Sequence, residues 1–157
     1  AIDTPGHAYH HMAYVLEDVC FTGDVGGVRI PGQTHVALPM PPPEIRLDLW
    51  RESVAKLRAA DLAHLAPTHF GLFDDVDAHL DRIDAQIAAT DAWLDKVLAD
   101  DPDADEWRER VEIWMRTHAA EDGVSDDAWA FYETANPSWM AAAGLKRYWE
   151  KHKAAVE

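Results

Sequence analysis

The sequence predicts a mixed α/β fold of the α+β kind, with strands and loops in residues 1–73 and helices in residues 74–157. Three observations carry this. Two short β-type runs, Met12-Ala13-Tyr14-Val15-Leu16 and Val19-Cys20-Phe21-Thr22, flank the turn residues Glu17-Asp18, the pattern of a tight hairpin. From Val76, the residues Leu80, Ile83, Ile87, Thr90, Leu94 and Val97 follow in alternating steps of four and three, a helical seam. The charge shifts at the same boundary: residues 1–73 carry 5 basic and 8 acidic side chains, residues 74–157 carry 9 and 21.

Taken in order, residues 25–43 are rich in glycine and proline and close with Pro39-Met40-Pro41-Pro42-Pro43, so a long irregular loop is expected there. A helix is expected from Asp48, as N-cap, to about Ala60, with Leu49, Val54 and Leu57 on its apolar stripe and Trp50 beside it. Leu62 to Ala66 reads as a short strand delivering Thr68 and His69. The acidic start Asp74-Asp75-Val76-Asp77 suits the positive end of the next helix, which Asp101-Pro102-Asp103 breaks. Trp107, Val111, Trp114 and His118 mark a second helix, ended by Gly123. Ser125 caps a third, carrying Trp129, Phe131 and Tyr132. Asn136-Pro137 opens a fourth, with asparagine as the cap and Trp139, Met140, Leu145, Tyr148 and Trp149 along it.

Composition excludes several function classes. A net charge of −15 repels nucleic-acid phosphates and anionic membranes. No apolar run approaches the ~18 residues that would span a bilayer. Cys20 is the only cysteine, so no internal disulfide can form, which fits a reduced, cytoplasmic setting. Buried mid-strand, Cys20 is expected to be a small core residue, and the tryptophans of the second half core or interface residues.

The chemistry is concentrated at three places. Thr4-Pro5-Gly6-His7-Ala8-Tyr9-His10-His11 holds three histidines within five positions. Phe21-Thr22-Gly23-Asp24-Val25-Gly26-Gly27 and Pro67-Thr68-His69-Phe70-Gly71 follow. Each candidate side chain, His11, Asp24 and His69, is expected where a strand ends and a glycine-bearing loop begins, a place from which loops can aim side chains into one cleft. Neutral imidazoles suit zinc and related ions, and a carboxylate can bridge two ions. His7, His10 and Thr22 are candidate supporting groups. His35, in the long loop, is a weaker candidate for touching substrate, and His118 a packing residue.

Residues 4–71 resemble the C-terminal half of a metallo-β-lactamase-fold hydrolase. Thr4 to His11 is similar to that superfamily's third metal motif as glyoxalase II-like members write it, which implies that His11 is the ligand and His7 supports it; His10 replaces a glycine that often precedes the ligand. Phe21-Thr22-Gly23-Asp24 resembles the fourth motif, whose aspartate bridges two metals. Pro67-Thr68-His69-Phe70-Gly71 resembles the fifth, whose histidine binds the second metal. The helical remainder resembles the C-terminal extension of some bacterial members. The superfamily's defining motif, His-x-His-x-Asp-His, is absent from this sequence.

The resemblance implies half of an αββα sandwich followed by a mainly helical extension, with the division at residue 73. It implies a metal-dependent hydrolase acting on an ester, thioester or lactone through metal-bound hydroxide, present as an incomplete chain of weak or no activity by itself. Zinc is the expected metal, with iron or manganese as alternatives; two ions are expected only if N-terminal ligands are supplied. Small-molecule substrates, and association with a copy of itself or with an N-terminal half, are the expected partners. The alternative is a non-catalytic, metal-poor module whose acidic helices form a partner surface.

Overall fold

The computed structural model describes residues 1–100 and 102–153, so Asp101 of the expected helix breaker lies outside the described residues. Four strands, β1 (Ile2–Asp3), β2 (Met12–Leu16), β3 (Val19–Val28) and β4 (His64–His69), form one sheet in the order β1-β2-β3-β4. The hairpin forms as the sequence predicts, with Tyr14 opposite Phe21 and Val15 opposite Cys20. Glu17 turns it at a φ of +56°. β4 runs parallel to β3, a pairing that a short turn cannot join. The crossover is supplied by the proline-rich loop and helix α1 (Leu47–Arg58).

One difference from the expected layout bears on function. β3 does not end before Asp24 but continues to Val28 through register shifts on either side of Gly23. Gly23 pairs with Pro67 and Val28 with His69, so β3 takes five residue steps where β4 takes two. The surplus length bulges out of the ladder, and Asp24 sits on the bulge rather than in a loop beyond the strand. A local reading of glycines as punctuation stops the strand too early, because the pairing with β4 is a tertiary effect.

The helices are α1, α2 (Val76–Val97) with a 3-10 turn at Leu98–Asp100, α3 (Ala104–Glu121), α4 (Asp126–Ala135) and α5 (Ser138–His152). α1 begins one residue before the expected cap: Asp48 lies in its first turn and pairs with Arg46. The α2 seam is buried as expected through Leu80, Ile83, Ile87, Thr90 and Leu94. Asp103 caps α3 by accepting from the backbone N–H groups of Asp105 and Glu106, and Ser125 caps α4 by accepting from Ala128. On α3 the buried stripe is Trp107, Val111, Met115 and Ala119, not the expected Trp107, Val111, Trp114 and His118. Trp114 is instead half-buried, stacked between Trp93 at 4.7 Å and His118 at 5.5 Å. Asn136 does not cap α5. Its side chain points back to the long loop and donates to the Leu38 carbonyl, while Glu133 satisfies the Ser138 backbone N–H and hydroxyl.

One buried apolar cluster runs from Ala13 and Cys20 in the sheet through Trp50 and Leu80 to Tyr132 and Tyr148, so residues on both sides of position 73 contribute to it. The opposite face of the hairpin is bare: Tyr14 is 59% exposed, Leu16 66% and Phe21 49%. Among the described residues no helix is long and apolar enough to cross a membrane.

Candidate metal centre

The loop between β1 and β2 is nailed to α1. Ser53 donates its hydroxyl to the Pro5 carbonyl at 2.6 Å, and the Arg46 N–H donates to the Gly6 carbonyl at 2.8 Å. Gly6 lies so close to the Trp50 backbone that a Cβ would stand 2.5 Å from the Trp50 Cα. His7 then stands edge-on over the Trp50 indole, with ring centroids 5.9 Å apart. Its Nδ1 is 2.9 Å from the Pro39 carbonyl oxygen, so that nitrogen carries the hydrogen and Nε2 of the neutral ring holds a free lone pair. His11 has a similar arrangement at Nδ1, which donates to the Thr4 hydroxyl at 2.9 Å. A ring N–H fixed by an oxygen acceptor is the usual support of a metal-binding histidine, since it sets the tautomer.

Asp24 is the meeting point. Oδ2 lies 3.3 Å from His7 Nε2, and Oδ1 lies 3.5 Å from His69 Nε2. Oδ1 is buried without a hydrogen-bond partner. The lone pair of His7 therefore faces a carboxylate oxygen, and a second carboxylate oxygen is orphaned beside another imidazole. Two acceptors held face to face call for a proton or a cation between them. His69 ends β4, and the next residue, Phe70, takes a φ of +69°, costly backbone for a side chain of that size.

His11 differs from the other two histidines. Its Nε2 accepts from the backbone N–H of Asp24 at 3.2 Å, so its lone pair is turned to the main chain. Burial, with His7 adding to it, holds the His11 pKa below the ordinary histidine value. The sequence-predicted His11, Asp24 and His69 thus surround one locality, and His7, expected only as a support, reaches the carboxylate directly. Among the described residues no three histidine, cysteine, aspartate or glutamate side chains form a ready cage for an ion. The contacts are pairs arranged around Asp24. The donor chemistry, two imidazoles and an orphaned carboxylate oxygen, nevertheless fits one divalent ion of the zinc, iron or manganese type.

The remaining expected groups fall as follows. His10 is exposed on the loop. Thr22 is buried beneath the bulge, its hydroxyl 3.4 Å from the Gly23 carbonyl. His35 is buried, 2.7 Å from an Asp122 carboxylate oxygen and edge-on to Tyr132, and lines a small cavity with Leu38, Met40 and Trp129, apart from Asp24. Cys20 is a core residue whose thiol pKa burial pushes up to about 11.

Sequence reasoning missed the groups that hold the bulge. Trp50 Nε1 donates to the Val25 carbonyl at 2.9 Å, and His79 Nε2 donates to the Gly26 carbonyl at 2.8 Å. These are the two consecutive carbonyls after Asp24, each bound from a different helix. His79 Nδ1 in turn lies 3.3 Å from Arg29 Nη1, and Arg29 and Arg82 both bind Asp75. The two arginines hold the Asp75 carboxyl at about 2, well below the usual range. The one available signal was a histidine next to the helical seam, immediately before Leu80.

No family model matches the sequence. A curated metallo-β-lactamase fold-containing protein of Sulfurisphaera tokodaii is 42% identical over 55 residues, which are 35% of this chain and 20% of that protein. Among solved structures, an archaeal metallo-β-lactamase superfamily protein from Sulfolobus tokodaii is similar over 92% of this chain and 44% of its own, at 21% identity and a TM-score of 0.51. A metallo-β-lactamase family protein from Thermus thermophilus is similar over 97% of this chain and 44% of its own, at 19% identity and a TM-score of 0.55. The chain therefore spans less than half of each of these relatives, and its fold is part of a metallo-β-lactamase fold.

Proposed function

We propose that this chain contributes half of the metal centre of a hydrolase of the metallo-β-lactamase superfamily, with Asp24 and His69 as ligands and His11 or His7 completing the set. The observation that carries the reading is the Asp24 carboxylate set between two imidazoles, with His7 Nε2 against Oδ2 and His69 Nε2 beside the orphaned Oδ1. Zinc, iron or manganese bound there would polarise an ester, thioester or lactone carbonyl and make a water molecule more acidic. The chain's own residues have simpler tasks. Asp24 presents two carboxylate oxygens to two sides, Pro39 fixes the His7 tautomer, Thr4 fixes that of His11, and Trp50 floors the loop. With these ligands alone one ion is expected, and two only where the rest of the fold supplies further ligands.

The bare hairpin face of Tyr14, Leu16 and Phe21 supports a second part of this reading, that the remainder of the fold covers it. The test is zinc titration of the 157-residue chain by calorimetry, followed by ester and phosphodiester assays with and without the remainder of the fold. One equivalent of zinc bound by the wild type and lost in Asp24→Ala is expected, with turnover only in the completed protein. Zinc binding that survives both Asp24→Ala and His69→Ala would defeat the assignment.

A non-catalytic module is the second reading, favoured by the His11 lone pair being turned to the Asp24 N–H. It predicts no stoichiometric zinc binding and no turnover even in the completed protein.

A further inference from the structure

We infer that His79, from the helical second half of the chain, is a positioning residue for Asp24; the inference rests on the proposed role of Asp24 as a ligand. His79 is fully buried in α2, an expensive place for an imidazole unless both ring nitrogens are satisfied. Both are. Nε2–H donates to the Gly26 carbonyl at 2.8 Å, and Nδ1 accepts from Arg29 at 3.3 Å. A single neutral tautomer meets both partners, so the ring cannot turn over without losing the two together.

The geometry gives this bond a consequence beyond α2. The bulge lifts Asp24 out of the β3–β4 ladder, so regular pairing does not hold residues 24–27. Three bonds do so instead: the Asp24 N–H to His11, the Val25 carbonyl to Trp50, and the Gly26 carbonyl to His79. Of these, the His79 bond alone ties the bulge to α2. The guanidinium of Arg29 extends the tie by binding Asp75 at the start of α2 while packing on the Phe73 ring at 4.4 Å. Removing the His79 donor frees the Gly26 carbonyl and lets the backbone after Asp24 rotate. The carboxylate then loses its aim between His7 and His69.

The experiment compares His79→Leu, which removes the donor, with His79→Gln, whose amide can still donate to Gly26, and Ile83→Val, which perturbs the same helix without removing a hydrogen bond to the bulge. Two readouts are taken on the full chain: amide hydrogen exchange of residues 24–27 without metal, and affinity for Zn2+ alone. Expected are exchange at 24–27 accelerated out of proportion to the rest of β3 in His79→Leu, near-normal exchange in His79→Gln, and zinc affinity about 10–100-fold weaker in His79→Leu. Equal acceleration throughout β3, or the same local effect in Ile83→Val, would overturn the inference. If His79→Leu does not fold, the wild type decides: a His79 Nε2–H protected from exchange supports the bond, and free exchange overturns it. Should the wild type bind no zinc, the proposed metal centre fails, while the exchange readout still judges the positioning.

Discussion

Gly23→Ala probes the junction of the first two motifs in a single substitution. Gly23 has a φ of +58°, and a Cβ there would stand 2.5 Å from His11 Nε2 and 2.9 Å from its Cε1. An ordinary carbon contact needs about 3.5 Å, so the imidazole must retreat by about 1 Å. That retreat breaks the bond from the Asp24 N–H to His11 Nε2, now 3.2 Å. Left-handed backbone costs a non-glycine residue about 1–2 kcal/mol. The lost hydrogen bond adds about 0.5–1.5 kcal/mol. Together the two contributions lower unfolding free energy by about 1.5–3.5 kcal/mol, before any gain from relaxation. Urea unfolding of wild type, Gly23→Ala, His11→Ala and the double variant measures this as a cycle. In the His11→Ala background the clash and the bond are both gone, so Gly23→Ala there costs only the backbone term, about 1–2 kcal/mol. An equal cost in both backgrounds would show that the His11 ring does not lie over Gly23, and the reading of the bulge would fall with it.

Two further outcomes follow from the buried polar groups. Asn136→Leu leaves the Leu38 carbonyl without the donor now 3.0 Å away, and stability should drop by about 1–3 kcal/mol in urea melts; because Pro39 holds His7, the His7 ring resonances should broaden or shift as well. Burial holds both His79 and His35 below the ordinary value of 6.5, in His35 against the opposing pull of Asp122. As pH falls through about 6.5 the unfolded chain takes up protons that the folded chain refuses, so stability is full above that pH and declines below it, down to the depressed folded values. The urea midpoint should fall between pH 7.5 and pH 5.5, less steeply in His79→Gln, whereas a midpoint that rises on acidification would refute neutral burial.

The hairpin was legible because its signals are local: β-type runs and two turn residues. The Ser125 cap was legible for the same reason. Three motifs in order drew attention to Asp24 and the histidines near it, but the share taken by each histidine was not legible. His7 and His11 differ in whether a lone pair meets a carboxylate or a backbone N–H, and that is decided by the bulge. Asn136 was misread because asparagine before proline is a local capping signal, and a carbonyl 98 positions away in sequence outcompeted it. His79 escaped notice because it falls beside the four-three positions of the seam, and its partner Gly26 lies 53 positions away.

The distribution of these contacts argues against treating the helical half as an appendage. All of the candidate ligands lie before residue 70, yet part of the backbone that presents them is held from beyond it. His79 holds the carbonyl two residues after Asp24. Tyr132 donates to the His35 carbonyl and Asn136 to the Leu38 carbonyl, which fixes the stretch whose next carbonyl, at Pro39, sets the His7 tautomer. A bulge outside the ladder and a proline-rich loop have few internal bonds of their own, so without those donors each would sample many conformations. A divalent ion discriminates strongly among ligand geometries, and displacements of about 1 Å at Asp24 or His7 are enough to spoil a site. The α2 and α4 side chains therefore act on the candidate centre through the main chain, and substitutions among them should alter metal affinity without touching a ligand.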